Sequence, residues 1–316
     1  MALTIDPQIG AGMMALFGDG PMPPPPAAGD VETRRASFSA LFAGLAAAQP
    51  PTEGVTVQDF ATQAKDGHEI LLRWYTPRGE PTGSGVYYIH GGGMIVGSVG
   101  EYDETVKRYV KASGVPFLSV EYRLAPEHPD PTPVEDCYAG LVWFAENARR
   151  LGVDPDRIAV MGDSAGGGLA AGLALLARDR GGPPIARQIL VYPMVDDTTT
   201  TPDEAIAPFA TWSYDDNITG WSAYLGSASG TDKASIYAAP ARAKDLSGLP
   251  PAYIDVGDLD IFRDEDVAYA TRLIAAGVPT ELHVHPGCPH GFELFAADAD
   301  VSKRTMADRV RQISLL

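Results

Sequence analysis

The chain has 316 residues, 45% of them hydrophobic and 21% charged, with 34 Gly and 27 Pro; it is long enough to bury a large core. Its 24 basic and 41 acidic side chains leave a formal charge of −17, and no window is densely basic. Nucleic acid and anionic membrane surfaces are therefore not expected as partners, because both are held by Lys and Arg neutralising phosphate. Only Cys137 and Cys288 occur, the first basic residue is Arg34, and no uncharged run reads as a membrane span. A cytoplasmic protein without a disulfide framework is expected.

Residues 1–50 carry two short helical patterns separated by the run Pro21–Pro26, the second starting near Asp30 as N-cap. Their apolar positions Met14, Phe17, Phe38, Leu41, Phe42 and Leu45 need a surface to cover. Val55–Ala64 and Glu69–Tyr75 flank Asp66-Gly67, a hairpin signal that adds antiparallel strands at one edge. Apolar strands then alternate with helical patterns, at Val86–His90, Pro116–Tyr122, Ile158–Gly162, Gln188–Tyr192, Ala252–Val256 and Glu281–His285. Helices are expected at about 133–150, 165–180, 264–276 and 300–314, with turns at Asp154-Pro155 and Pro183-Pro184. This rhythm predicts an α/β fold with a mostly parallel eight-stranded sheet flanked by helices.

Residues 194–235 break the rhythm. They are acidic and aromatic, with Trp212, Tyr214, Trp221 and Tyr224. Segments 1–50 and 194–235 are expected to pack together as a helical cap over the C-terminal edge of the sheet, where open α/β proteins bind ligands. The core would then comprise residues 51–193 and 236–316.

Gly162-Asp163-Ser164-Ala165-Gly166 fits G-x-S-x-G between a predicted strand and a small-residue helix. In that context it forms a nucleophile elbow, a tight turn that projects the serine oxygen above the sheet. His90-Gly91-Gly92-Gly93 ends another strand, and its glycines can present N–H groups to an oxyanion. Gly92, Gly93 and Ala165 are the expected donors. His90 reads as a hydrogen-bonder that orients this loop.

A serine needs a histidine base and an acid that orients it. His283 and His285 alternate on the last strand and read as strand side chains, with no third group nearby for a metal. His290, in Pro289-His290-Gly291-Phe292, lies on a loop that can reach back to the elbow. For the acid, Asp258 and Asp260 remain after the strand Ala252–Val256, and the spacing favours Asp260. The order Ser164, Asp260, His290 is that of an α/β-hydrolase.

These motifs, with Glu121 to Glu127 and Asp260 to Glu265, resemble the hormone-sensitive lipase family, the bacterial family IV esterases of the GDSAG subgroup. The resemblance spans about residues 85–295. It implies the α/β-hydrolase fold with a cap, a Ser164, His290, Asp260 triad and an oxyanion hole of Gly92, Gly93 and Ala165. The implied reaction is cofactor-independent hydrolysis of short to medium acyl esters, with no metal, and a homodimer through the edge strand 281–285. The same triad would also serve a lactonase or amidase. A small-ligand receptor on this fold, like the plant gibberellin receptor, lacks a complete triad.

Met94 stands where many relatives have Phe or Trp, which suggests an adaptable pocket wall. Arg123 and Glu127 are expected to pair with each other. The seven acidic residues between Gln188 and Asp232, a stretch without Lys or Arg, are expected to surround the pocket entrance and disfavour anionic esters.

Overall fold

The computed structural model describes residues 3–18, 26–48, 51–79 and 82–316. Eight strands form one sheet: β1 (Val55–Gln63), β2 (Glu69–Pro77), β3 (Gly83–Ile89), β4 (Phe117–Val120), β5 (Val153–Asp163), β6 (Arg187–Val191), β7 (Ala252–Gly257) and β8 (Thr280–His285), in the order β1-β2-β4-β3-β5-β6-β7-β8. β2 runs antiparallel to β1 and β4, and all other pairs are parallel. The β1–β2 hairpin closes where Gly67 takes φ 85° and the Asp66 carboxylate accepts the His68 N–H at 3.2 Å. The Asp154-Pro155 signal marks an irregular start of β5, where the register against β3 shifts between Gly83 and Gly85.

The central strands read as continuous apolar runs because both faces of the sheet are covered. Along β3, Tyr87 and Ile89 enter the core on one face while Val86 and Tyr88 enter the core on the other. The first face meets α4 (Thr132–Asn147) and α5 (Ala165–Arg180); the second meets α3 (Asp103–Ser113) and α9 (Asp300–Ser314). The helix α3 is absent from the expected elements, although Val106, Tyr109 and Val110 form a buried stripe at helical spacing. α7 (Arg263–Ala275) and the single-turn α8 (Phe292–Phe295) complete the core.

Two helices precede the sheet. Asp6 caps α1 (Pro7–Phe17) by accepting the Gln8 and Ile9 N–H groups, and Asp30 accepts the Thr33 N–H at the start of α2 (Val31–Ala48). Ile9 is the buried anchor of α1, whereas Met14 is 59% exposed, so the expected covering face of α1 is only partly buried. Residues 21–25 of the proline run lie outside the described residues. α2 meets the acidic segment: Arg34 is fully buried and bonds Asp216 at 2.7 Å, and the Phe38 and Trp212 rings lie 5.5 Å apart. That segment also contains a regular helix, α6 (Tyr214–Leu225), begun by a Ser213 and Asp216 capping box. Among the described residues, no helix is long and apolar enough to cross a membrane.

Part of the acidity of this segment is paired locally. Asp216 pairs with Arg34, Asp197 pairs with Arg242 at 2.5 Å, and Asp196 accepts the Thr198 N–H and hydroxyl. None of the seven acids lines the cavity at Ser164 itself. The expected Arg123 and Glu127 pair is replaced. Arg123 joins buried Asp136 to the hairpin residue Asp66, while Glu127 faces Arg35 of α2 at 2.7 Å.

Candidate active site

Ser164 sits between β5 and α5 with φ 56° and ψ −121°, a backbone that a non-glycine residue adopts only when its surroundings hold it. Its N–H donates to Val191 O at 2.8 Å, and its carbonyl accepts from Gly168 and Met194. The turn closes only because its neighbours are small: a Cβ on Gly166 would lie 2.1 Å from the Ile89 carbonyl oxygen.

The structure brings Ser164, His290 and Asp260 together from three separate segments. His290 Nε2 lies 3.0 Å from Ser164 Oγ, and His290 Nδ1 lies 2.7 Å from Asp260 Oδ2. Asp260 is 1% exposed, and its other oxygen accepts the Phe262 N–H at 3.0 Å. With Nδ1–H donated to that carboxylate, Nε2 presents a lone pair to the serine hydroxyl. Asp258, the other acid considered, accepts the Gly287 N–H at 2.6 Å and so holds the base of the loop that carries His290.

His90 is elsewhere. Its ring stacks on Tyr122 at 4.2 Å, and Nδ1 contacts the Gly91 carbonyl at 2.8 Å. Burial pushes its pKa down to about 4. A neutral ring that braces the glycine loop is the result. Asp163 accepts the Tyr88 hydroxyl at 2.8 Å, and burial pushes its carboxyl up to about 7.

Gly92 and Gly93 take φ 116° and 59°, and Gly91 packs against Ser164. Among the described residues, the N–H groups of Gly92, Gly93 and Ala165 have no intramolecular acceptor, so they are free to bind an anion. A Cβ on Gly93 would lie 2.4 Å from the Trp212 ring. Gly93→Ala is therefore expected to lower kcat/KM by about tenfold or more, through displacement of the loop and ring. Steady-state kinetics on a folded variant checks this.

A cavity of about 70 Å³ meets Ser164 and His290, walled by Phe38 and Phe42 of α2, by Trp212, and by Leu294 and Phe295. Met94 does not line it. That side chain is fully buried in the core, so the adaptable wall expected from it is corrected to a rigid one made by Trp212. Several contacts were not read from the sequence. Thr211 Oγ1 donates to the His290 carbonyl at 2.6 Å, and Tyr192 and Phe262 set their rings edge-on to the imidazole at 4.6 and 5.2 Å.

His285 turns to Thr305, while His283 lies 2.6 Å from Glu281 and 3.9 Å from Asp308. The expectation that no third group lies near His283 is thus corrected. Arg311 already bonds both acids, so the charge of that cluster is met by a guanidinium.

A model of the alpha/beta hydrolase fold matches residues 86–294. The chain belongs to this family. It is similar to carboxylesterase NlhH of Mycobacterium tuberculosis, at 41% identity over 231 residues, 70% of this chain and 72% of that protein. It is also similar to an ethyl acetate hydrolase of Pseudomonas putida, at 33% identity over 259 residues, covering 80% and 79% of the two chains. Among solved structures, a bacterial heroin esterase superposes with TM-score 0.90 at 39% identity, over 99% of this chain and 98% of that one. This α/β-hydrolase is a carboxylesterase of the hormone-sensitive-lipase-like group, acting on small-molecule esters.

Proposed function

We propose that this carboxylesterase hydrolyses esters with short acyl chains through Ser164, His290 and Asp260. The observation that carries the reading is the continuous line of hydrogen bonds from Asp260 through His290 to Ser164 Oγ, at 2.7 and 3.0 Å. His290 Nε2 takes the hydroxyl proton as Oγ attacks the ester carbonyl, and Asp260 stabilises the imidazolium without itself taking the proton. The N–H groups of Gly92, Gly93 and Ala165 bind the oxyanion, each contributing about 3 kcal/mol to the transition state. The imidazolium then protonates the leaving alkoxide. Water, deprotonated by the same nitrogen, attacks the acyl-enzyme and releases the acid and free Ser164.

Chain length follows from the walls. A cavity of about 70 Å³, closed in by Phe38, Phe42, Trp212, Leu294 and Phe295, leaves little depth beside Ser164 for an acyl chain. Segments 1–50 and 194–235 act as the cap in this reading, because Phe38 from one and Trp212 from the other close the same pocket. The test is a series of p-nitrophenyl esters. Acetyl and propionyl esters should give the highest kcat/KM, and Trp212→Ala should move the optimum toward hexanoyl or longer. A native optimum at decanoyl or above would refute the short-chain assignment.

A further inference from the structure

A second cavity, of about 410 Å³, lies between α3 and α9 and has Leu294 in common with the pocket at Ser164. Its walls are mostly apolar and include Met306, Ala307 and Val310 of α9 and Ala112 of α3. Ester hydrolysis as proposed above uses none of them.

Three polar groups in this lining have no partner among the described residues. Ser302 is 2% exposed and its Oγ is buried without a hydrogen bond. Glu293 bonds Tyr192 and Arg309 through Oε1, but its Oε2 is buried without a partner. Arg108 is half-buried and makes no hydrogen bond or ion pair among the described residues. Burial holds its guanidinium below the ordinary range, with only longer-range help from Glu104. Buried polar groups are normally satisfied, so the buried Ser302 hydroxyl and the unpaired Arg108 guanidinium around one cavity point to a ligand.

Charge decides its class. The chain carries −17, and half-buried Arg123 and Arg35 are paired with carboxylates. The one carboxylate in this lining, Glu293, gives its charge to Arg309, and Lys303 faces Asp298, so Arg108 keeps no ion pair of its own among the described residues. A planar guanidinium beside an apolar chamber suits a carboxylate carrying a hydrocarbon body.

We propose that this cavity is a binding site, separate from the catalytic pocket, for a small aliphatic monocarboxylate whose head group pairs with Arg108. The Ser302 hydroxyl is a second donor inside the same chamber, and the α9 side chains cover the tail. The site does not depend on the assignment of Ser164 as nucleophile.

Octanoate is the probe, titrated calorimetrically into the native chain and into protein whose Ser164 has been capped by a small phosphonate. Binding is expected in both forms with similar affinity, and Arg108→Gln should weaken it by roughly tenfold or more. Ala307→Phe, which fills the chamber from the α9 side, should abolish it. Arg108 and Ala307 lie outside the catalytic pocket, so turnover of p-nitrophenyl acetate in both variants should stay near native and report that they are folded. Binding that disappears on capping Ser164, binding indifferent to Arg108→Gln, or no binding at millimolar octanoate would each overturn the proposal. If instead Ser164→Ala proved active while octanoate bound as described, the triad reading would fail and this site would stand.

Discussion

Ser164→Ala is expected to lower kcat on p-nitrophenyl acetate by about 10⁶-fold, and adding His290→Ala to it should cost almost nothing more. The two side chains act as one unit: without Oγ, the imidazole has no proton to take, and without the imidazole, Oγ remains a neutral hydroxyl. Asp260→Asn should be milder, at about 10⁴-fold. An Asn side chain can still accept the Phe262 N–H, but its amide N–H would then face His290 Nδ1. That forces the proton onto Nε2, where it meets the Ser164 hydroxyl instead of accepting from it. Stability should change little in Ser164→Ala, since His290 is the one side chain that Oγ bonds among the described residues. Burst and steady-state kinetics beside a thermal melt test this. Retention of a tenth of native activity by Ser164→Ala would remove Ser164 from the mechanism.

Why Ser164, Asp260 and His290 were legible as a group in the sequence, and much around them was not, has a physical explanation. Glycines stand two positions either side of Ser164 because the elbow permits nothing larger there, so its geometry is imposed by nearby residues and is visible as a motif. His290 and Asp260 follow strands, and strand order fixes which loops meet at the sheet's C-terminal edge. The ion pairs were misread because each depends on a partner distant in sequence. Arg123 is adjacent in sequence to a stretch ending at Glu127, yet the hairpin tip and α4 reach it first. Asp216 looked like surface charge, but α2 brings Arg34 to it from 182 residues away. Met94 was misplaced because the Gly92 and Gly93 turn sends it into the core, where its backbone carbonyl accepts the Ala125 N–H. The bounds of the α6 helix were legible in principle, as Ser213 and Asp216 have the capping-box spacing, but the acidic and aromatic composition of residues 194–235 placed only a cap there.

Arg309→Met is expected to destabilise the fold by about 3 to 5 kcal/mol. Arg309 is fully buried behind the active site. It grips Asp255 with two hydrogen bonds of 2.8 and 2.7 Å, Glu293 at 2.5 Å and the Tyr109 hydroxyl at 3.1 Å. Methionine matches much of the volume, so the cost comes from two carboxylates left in a dry interior without a cation. Removing one of those charges should therefore restore part of the loss, and Arg309→Met with Asp255→Asn should be more stable than Arg309→Met alone. Activity should fall in the single variant even where it remains folded. Glu293 also holds the Tyr192 hydroxyl at 2.8 Å, and the Tyr192 ring abuts His290 at 4.6 Å, so a displaced Glu293 loosens the base itself. Urea unfolding measures the first effect, and kcat below the unfolding transition measures the second. A loss under about 1 kcal/mol, comparable to an exposed pair, would mean that the acids shed their charge and that the cation does not hold this side of the sheet together.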